Sequence, residues 1–219
     1  MSRGCRTGGA AINISRRPFL IVVTGPSGVG KSTVVEQVLK RSKNTDLSVS
    51  LTTRPPRAGE REGDEYHFVD MERFLRARDG GELLEWAEVH GNLYGTPSSF
   101  VDGALAAGRN VLLEIDVQGG LSVKERVPDA VLVFLLPPSL EELEKRLRGR
   151  ATDDEAVIER RLNNALKEYE FHDRYDYIVI NDAVDSCAAG ILGIISSESL
   201  RRERTVLQED TSEDGESGV

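Results

Sequence analysis

Apolar residues in this chain come in short blocks separated by longer stretches of mixed polarity. Phe19 to Val23, Asn110 to Asp116, Ala130 to Leu136 and Tyr177 to Ile180 carry four of these blocks. Each is short and closed by Gly, Pro, Asn or Asp, which predicts buried strands. Between them the period is helical. Val34, Val35, Val38 and Leu39 share one face of a helix that fades near Ser42 to Asn44. Pro97-Ser98-Ser99 opens a helix that ends near Gly108, and Gln118 to Arg126 predicts a short one. Ser139 with Glu142, and Thr152 with Glu155, are capping-box patterns that open two more. Thr152 to Tyr169 is strongly amphipathic, with Val157, Leu162, Ala165, Leu166 and Tyr169 as candidate buried positions. Ala183 to Arg204 closes the chain as a largely helical segment. Strands alternating with helices predict an α/β fold, a parallel sheet with helices on both faces.

Residues 47–96 break this rhythm. Leu47 to Thr53 alternates apolar and hydroxyl residues and reads as one strand. Tyr66, Phe68 and Val69 predict a second, Leu83 to Val89 a third and Leu93 to Thr96 a fourth, the last two joined by a turn at His90-Gly91-Asn92. Met71 to Ala77 suits a short helix. Pro55, Pro56, Gly59 and Gly63 oppose a regular helix between the first two strands. The block reads as a small, mostly β insertion.

Composition narrows the class. At 219 residues, 39% apolar and 30% charged, the chain suits one soluble domain, and no apolar stretch is long enough to cross a bilayer. The net charge of −9 opposes general nucleic-acid binding. Residues 208–219 hold five acids and no base, so 205–219 is expected to be a disordered acidic tail. Residues 1–18 hold Arg3, Arg6, Arg16 and Arg17 without an acid and lack the apolar core of a signal peptide. A disordered extension is the expectation there, ahead of a transit peptide. Cys5 and Cys187 form no metal or disulfide framework, which points to a reducing cytoplasm. His67, His90 and His172 are scattered and suggest no metal site.

The first strand runs into chemistry. From Gly25 the spacing is G-x-x-x-x-G-K-S, the P-loop pattern: Gly25, Pro26, Ser27, Gly28, Val29, Gly30, Lys31, Ser32, then Thr33. Glycines let backbone N–H groups turn inward around phosphate oxygens, and the helix that follows adds its positive end. Lys31 can reach the terminal phosphates of a polyphosphate, and the Ser32 hydroxyl can join a Mg²⁺ shell. A chance glycine turn gives the same spacing, but here a strand precedes it and a helical pattern follows. In the insertion, Arg54 and Arg57 lie three apart in a Pro/Gly-bounded loop, with Tyr66 and Tyr94 downstream. Arginine grips phosphate bidentately and a tyrosine hydroxyl adds a hydrogen bond. A second phosphate-bearing ligand and a merely solvated basic loop both fit.

From Gly25 on, the chain resembles guanylate kinase. The matching stretches are GPSGVGKST at 25–33, SVSLTTRPPRAGEREGDEYHFV at 48–69, EWAEVHGNLYGT at 85–96, LEIDVQG at 113–119, RLRGRATDDEAVIERRL at 146–162 and YDYIVIND at 175–182. They keep the family's order and spacing. The resemblance implies a kinase domain over 19–204, with residues 47–96 as a GMP-binding insertion and about 146–169 as a helical lid. It implies that Ser50 and Glu85 read the guanine edge, with Thr96 bordering the base, and that Arg54, Arg57, Tyr66 and Tyr94 clamp the GMP phosphate. Asp116 matches an acid near nucleotide and metal, and Glu114 precedes it by two on the same strand face. Arg150 and Arg161 match lid arginines. Arg160, roughly 100° round a helix from Arg161, is the poorer candidate. Ala151 departs from a commonly glycine position in the lid. Asn181 matches a residue near the adenine of ATP.

The implied reaction is in-line transfer of the γ-phosphate of Mg-ATP to GMP, and to dGMP, with catalysis by Lys31, Arg54, Arg150, Arg161 and Mg²⁺ bound through Ser32 and, by water, Glu114 or Asp116. Three rivals remain. A guanylate-kinase-like binding module would not need Lys31 or the arginines. A related kinase for a sugar phosphate would not need Ser50 with Glu85. A simple ATPase would leave 48–96 unused. The sequence does not decide between monomer and homo-oligomer.

Overall fold

The computed structural model describes residues 12–57, 59–89, 91–149 and 155–209. The central sheet consists of β2 (Leu20–Thr24), β3 (Thr45–Leu47), β8 (Asn110–Glu114), β9 (Val131–Leu136) and β10 (Tyr177–Ile180). All neighbours are parallel, in the order β10-β9-β2-β8-β3. Successive residues of β2 point to opposite faces, and both faces are dry. Ile21 and Val23 pack with Val34, Val35 and Val38 of α1 (Lys31–Arg41) and with Cys187, Ala188 and Ile191 of α7 (Val184–Ser199). Leu20 and Val22 pack on the other side with Val101 of α3 (Ser98–Ala106) and Val123 of α4 (Val117–Arg126). Each buried aliphatic side chain of this kind contributes about 1.5–3 kcal/mol. The loop after β2 is thus carried on a strand buried at every position.

The insertion forms its own sheet, ordered β5-β4-β7-β6, from β4 (Leu51–Thr52), β5 (His67–Phe68), β6 (Leu83–Val89) and β7 (Asn92–Pro97). Helix α2 (Met71–Asp79) starts at Asp70, whose side chain accepts from the Arg73 N–H, and sets Phe74 and Ala77 against Leu51, Leu83 and Leu93. Helices α5 (Leu140–Arg148) and α6 (Glu155–Tyr169) pack on each other before β10.

Several expectations change. The single strand over Leu47 to Thr53 is two strands in different sheets. The Ser48 N–H still bonds the Leu112 carbonyl of the central sheet at 3.0 Å, while the Ser50 carbonyl already accepts from His67 in the insertion at 2.9 Å. Alternation reports extended backbone, not which neighbour the strand pairs with. Leu47 therefore belongs to the central sheet. Helix α6 buries Ile158 and Ala165, with Leu162 partly buried, whereas Leu166 and Tyr169 are exposed. The stripe that meets Leu143 and Leu147 of α5 runs through 158, 162 and 165. At Ser139 the cap bond forms, Glu142 N–H to Oγ at 3.2 Å, but the Glu142 carboxylate turns to Arg146. Thr152 and Ala151 lie outside the described residues, as do Arg150, Cys5 and His90.

The expectation of disorder is revised for 12–16 and 205–209, while residues 1–11 and 210–219 lie outside the described residues. β1 (Ile12–Arg16) pairs antiparallel with β11 (Thr205–Glu209), from Ile12↔Glu209 to Arg16↔Thr205. The ribbon is anchored at its base. Arg17 N–H donates to the Arg204 carbonyl at 2.8 Å, and the buried Arg204 guanidinium sits 4.0 Å above the Phe19 ring and bonds Asp129. Partners 189 residues apart leave no local signal.

Candidate active site

The loop between β2 and α1 is held open by its glycines and braced from behind. Gly25 has φ +145, and a Cβ there would run into the Leu135 carbonyl. Helix α1 begins after Gly30 with no side-chain cap and no acid in its first turn, so its backbone amides and positive dipole end face outward. The Val29 carbonyl points back, accepting from Asn181 Nδ2 at 2.7 Å and Arg146 Nη1 at 3.3 Å. Arg146 also donates to the Asn181 carbonyl at 3.0 Å. Asn181 is thus buried against the rear of the loop. Lys31 Nζ donates to the Gly25 carbonyl at 2.6 Å and Ser32 Oγ to Glu114 Oε1 at 2.6 Å.

Opposite the loop lies a buried acid. Glu85, on β6, is 2% exposed, and Thr96 Oγ1 on β7 donates to its Oε1 at 2.6 Å. Burial pushes its carboxyl up to about 7, against the pull of the Thr96 hydrogen bonds. Gly119, in the first turn of α4, permits this approach: a Cβ there would come within 2.8 Å of Glu85 Oε2. Asp116 lies beyond the end of β8, not on the strand with Glu114, and caps α4 by accepting from Gly119 and Gln118 N–H at 3.1 and 3.3 Å.

The arginine–tyrosine group completes this side. Arg54 is 9% exposed and held bidentately by Glu60, at 2.9 and 3.0 Å, with its guanidinium 5.4 Å from the Tyr66 ring centroid. The Arg54 hydrogen bond holds the Glu60 carboxyl below its usual range. Tyr66 meets Tyr94 edge to face at 5.7 Å, and burial raises its hydroxyl to about 12. The Arg57 backbone N–H also donates to Glu60, at 2.7 Å.

Lys31, Ser50, Tyr66, Glu85, Tyr94 and Asp116 all line one cavity of about 220 Å³. A recess of about 400 Å³ continues from it past Ser32, Arg54 and Arg57. Thr33 is exposed in the first turn of α1, and Arg161 is half-buried on α6 while Arg160 is exposed. Three contributors carried no assigned role in the sequence: Glu60, Arg146 and Glu168, the last lining the cavity from α6. Glu168 is seven residues from Arg161, which puts both on one helix face, and that spacing was the available signal. Among the described residues, no three His, Cys, Asp or Glu side chains are placed to hold a metal by themselves, and no helix is long and apolar enough to cross a membrane.

A parallel sheet that delivers a glycine loop and its lysine to a cavity, faced there by a separate side-chain compartment, defines a P-loop kinase. Residues 16–198 match the family model described as guanylate kinase. The guanylate kinase of Agrobacterium fabrum (strain C58 / ATCC 33970) is 48% identical over 194 residues, 88% of either chain. That of Chelativorans sp. (strain BNC1) is 50% identical over 198 residues, covering 90% of this chain and 91% of the relative. The crystal structure of guanylate kinase from Anaplasma phagocytophilum matches with a TM-score of 0.76 and 35% identity, over 89% of this chain and 93% of that one. The chain belongs to the guanylate kinase family and is a nucleotide-binding kinase.

Proposed function

We propose that the protein transfers the γ-phosphate of ATP to GMP, and to dGMP, yielding ADP and GDP or dGDP. The observation that carries this reading is the buried Glu85–Thr96 pair at one end of the cavity that Lys31 enters from the other. A guanine edge offers two adjacent donors, N1–H and the 2-amino group, to one carboxylate, and adenine offers no such pair. A buried acceptor left unpaired by the wrong base rejects it. Ser50, 7% exposed, borders the same cavity and supplies a further hydroxyl.

Arg54, Arg57, Tyr66 and Tyr94 hold the GMP phosphate, with Glu60 fixing the guanidinium plane of Arg54. The amides of 25–31 and Lys31 take the ATP phosphates, and Asn181 acts from behind, through Val29. A GMP phosphate oxygen attacks the γ-phosphorus in line. One P–O bond forms as the bond to the β–γ bridging oxygen breaks, and the electron pair leaves on ADP. A phosphate monoester is already ionised, so no side-chain base is required, and the chain's task is alignment and charge neutralisation. Arg161 and Arg150, on the lid, add positive charge at the transferring group.

Ser32 and Glu114 are hard oxygen donors in contact, and a magnesium ion that keeps phosphate and water ligands needs only one or two such groups. Ser32, with Glu114 or Asp116 through water, would hold it. Bound there, it would neutralise phosphate charge. An ADP-release assay with ATP and GMP, dGMP, AMP, CMP, UMP and a ribose phosphate tests the reading. Turnover with the two guanine nucleotides alone is expected. Turnover with the sugar phosphate alone, or with none, overturns it.

A further inference from the structure

Glu168 lies on the lid helix α6, yet its carboxylate is seated against the P-loop. It lines the cavity together with Gly25, Ser27 and Lys31, where the Ser27 backbone amide favours its charged form, and its Oε2 is buried without a hydrogen-bond partner. Lys31 of α1 attracts it, while Asp116 at the start of α4 and the buried Tyr175 hydroxyl face it as well. Burial is the largest influence on this group and lifts its carboxyl to about 7. Tyr169 and Leu166, its neighbours, are exposed.

The chemistry of this seat is that of a phosphate oxygen. A loop amide and the P-loop lysine are the groups that receive donor phosphate when this loop is the ATP site, and the inference rests on that reading. Two anions cannot share the field of Lys31 and the loop amides without repulsion. We propose that Glu168 is a positioning residue that competes with donor phosphate for the P-loop and is displaced when the phosphates bind. Arg161 lies two turns earlier on the same face of α6, so a withdrawal of Glu168 that displaces the helix carries the lid arginine with it. Donor binding and lid position are then one event. The carboxylate also assists product departure, since it re-enters as ADP leaves.

The test uses the full chain and Glu168→Gln, which keeps shape and removes charge. Calorimetry with inorganic tripolyphosphate and with MgADP at about pH 8, where a group near 7 is mostly ionised, reads affinity directly. The variant is expected to bind both about three- to ten-fold more tightly, with KM for ATP falling alike and KM for GMP within about twofold. At about pH 6 the gap between variant and parent should narrow, because the parent is then mostly neutral, a shift that a packing role would not produce. Unchanged or weaker donor binding by a folded variant overturns the competition. Failure of the parent to bind tripolyphosphate and MgADP overturns the donor-site reading instead. If Glu168→Gln does not fold, Glu168→Asp, which draws the charge back by one methylene, is expected to tighten binding to a lesser degree, and no tightening overturns the proposal.

Discussion

At the P-loop end of the cavity the groups in position are main-chain amides, Lys31 and the serines of the loop, carried on a strand that is buried on both faces, with the Glu168 carboxylate reaching in from α6. At the insertion end they are side chains, Ser50, Tyr66, Glu85, Tyr94 and Thr96, drawn from separate stretches of a small sheet with a core of five buried residues. A phosphate asks for positive potential from many directions, which a glycine loop and a helix end supply without side chains. A base edge asks for one acceptor at one place, which only a fixed side chain supplies. The first kind of site is robust but unselective; the second is selective and fails one residue at a time.

Variants at either end test this division. Lys31→Ala should have the largest effect, a loss of about 10³-fold in turnover, with circular dichroism unchanged and GMP affinity by calorimetry held within about twofold. An equal loss of GMP binding would erase the distinction between the ends. Glu85→Gln should lower kcat/KM for GMP by about 10²-fold and leave the affinity for MgATP within about twofold. A matching loss of ATP binding would show that the acid supports the whole cavity.

The charge state of Glu85 sharpens the contrast. Its carboxyl is raised to about 7, and only the ionised form accepts both guanine donors, so kcat/KM for GMP should climb as pH rises through about 7 and then level. Thr96→Val removes a hydrogen bond that lowers this value, so the midpoint should move to higher pH. Stability runs the other way. A folded-state value above the usual 4.5 means that this group's contribution is complete below about 4.5 and is lost as pH rises through about 7. Glu85→Gln should therefore melt close to the parent at low pH and above it in mildly alkaline buffer. A constant offset in melting temperature across that range would point to packing, not charge. The smallest expected effect is Glu60→Gln. One hydrogen bond to Arg54 can persist, so KM for GMP should rise only about three- to five-fold.

The same division explains what could be read from the chain in advance. The glycine loop is one contiguous stretch following an apolar run, and its position at the end of β2 follows from the strand–turn–helix order alone. All four apolar runs mark strands of the central sheet, and in β2, β8 and β9 burial on both faces leaves no polar alternation; the fourth, β10, was expected to be buried but is an edge strand that exposes Ile178 and Ile180, because only one of its faces is covered. The insertion side is scattered over 50–116, and the physics of the residues alone left Arg54 and Arg57 between a phosphate clamp and a solvated loop. It was the resemblance, not periodicity, that grouped Ser50 with Glu85. Glu60 was hidden because its partner is an arginine six residues away in an irregular loop, where no period applies. Glu168 was hidden because an acid on an amphipathic helix reads as part of the wet face. The split of Leu47 to Thr53 between two sheets, and the pairing of β1 with β11, depend on contacts that extended patterns do not encode.

That ribbon has a mechanical consequence. Ile12 pairs with Glu209 at its free end, and Arg16 with Thr205 next to the body of the protein. Tension applied between residues 12 and 209 therefore loads the ladder one rung at a time, as in opening a zip, and not all rungs together in shear. It should yield at low force, and the parallel core behind Arg204 and Phe19 should bear load only after the last rung opens. The ribbon is in effect a mechanical fuse, and a tether attached at both ends of the chain would be felt there well before it reached the cavity.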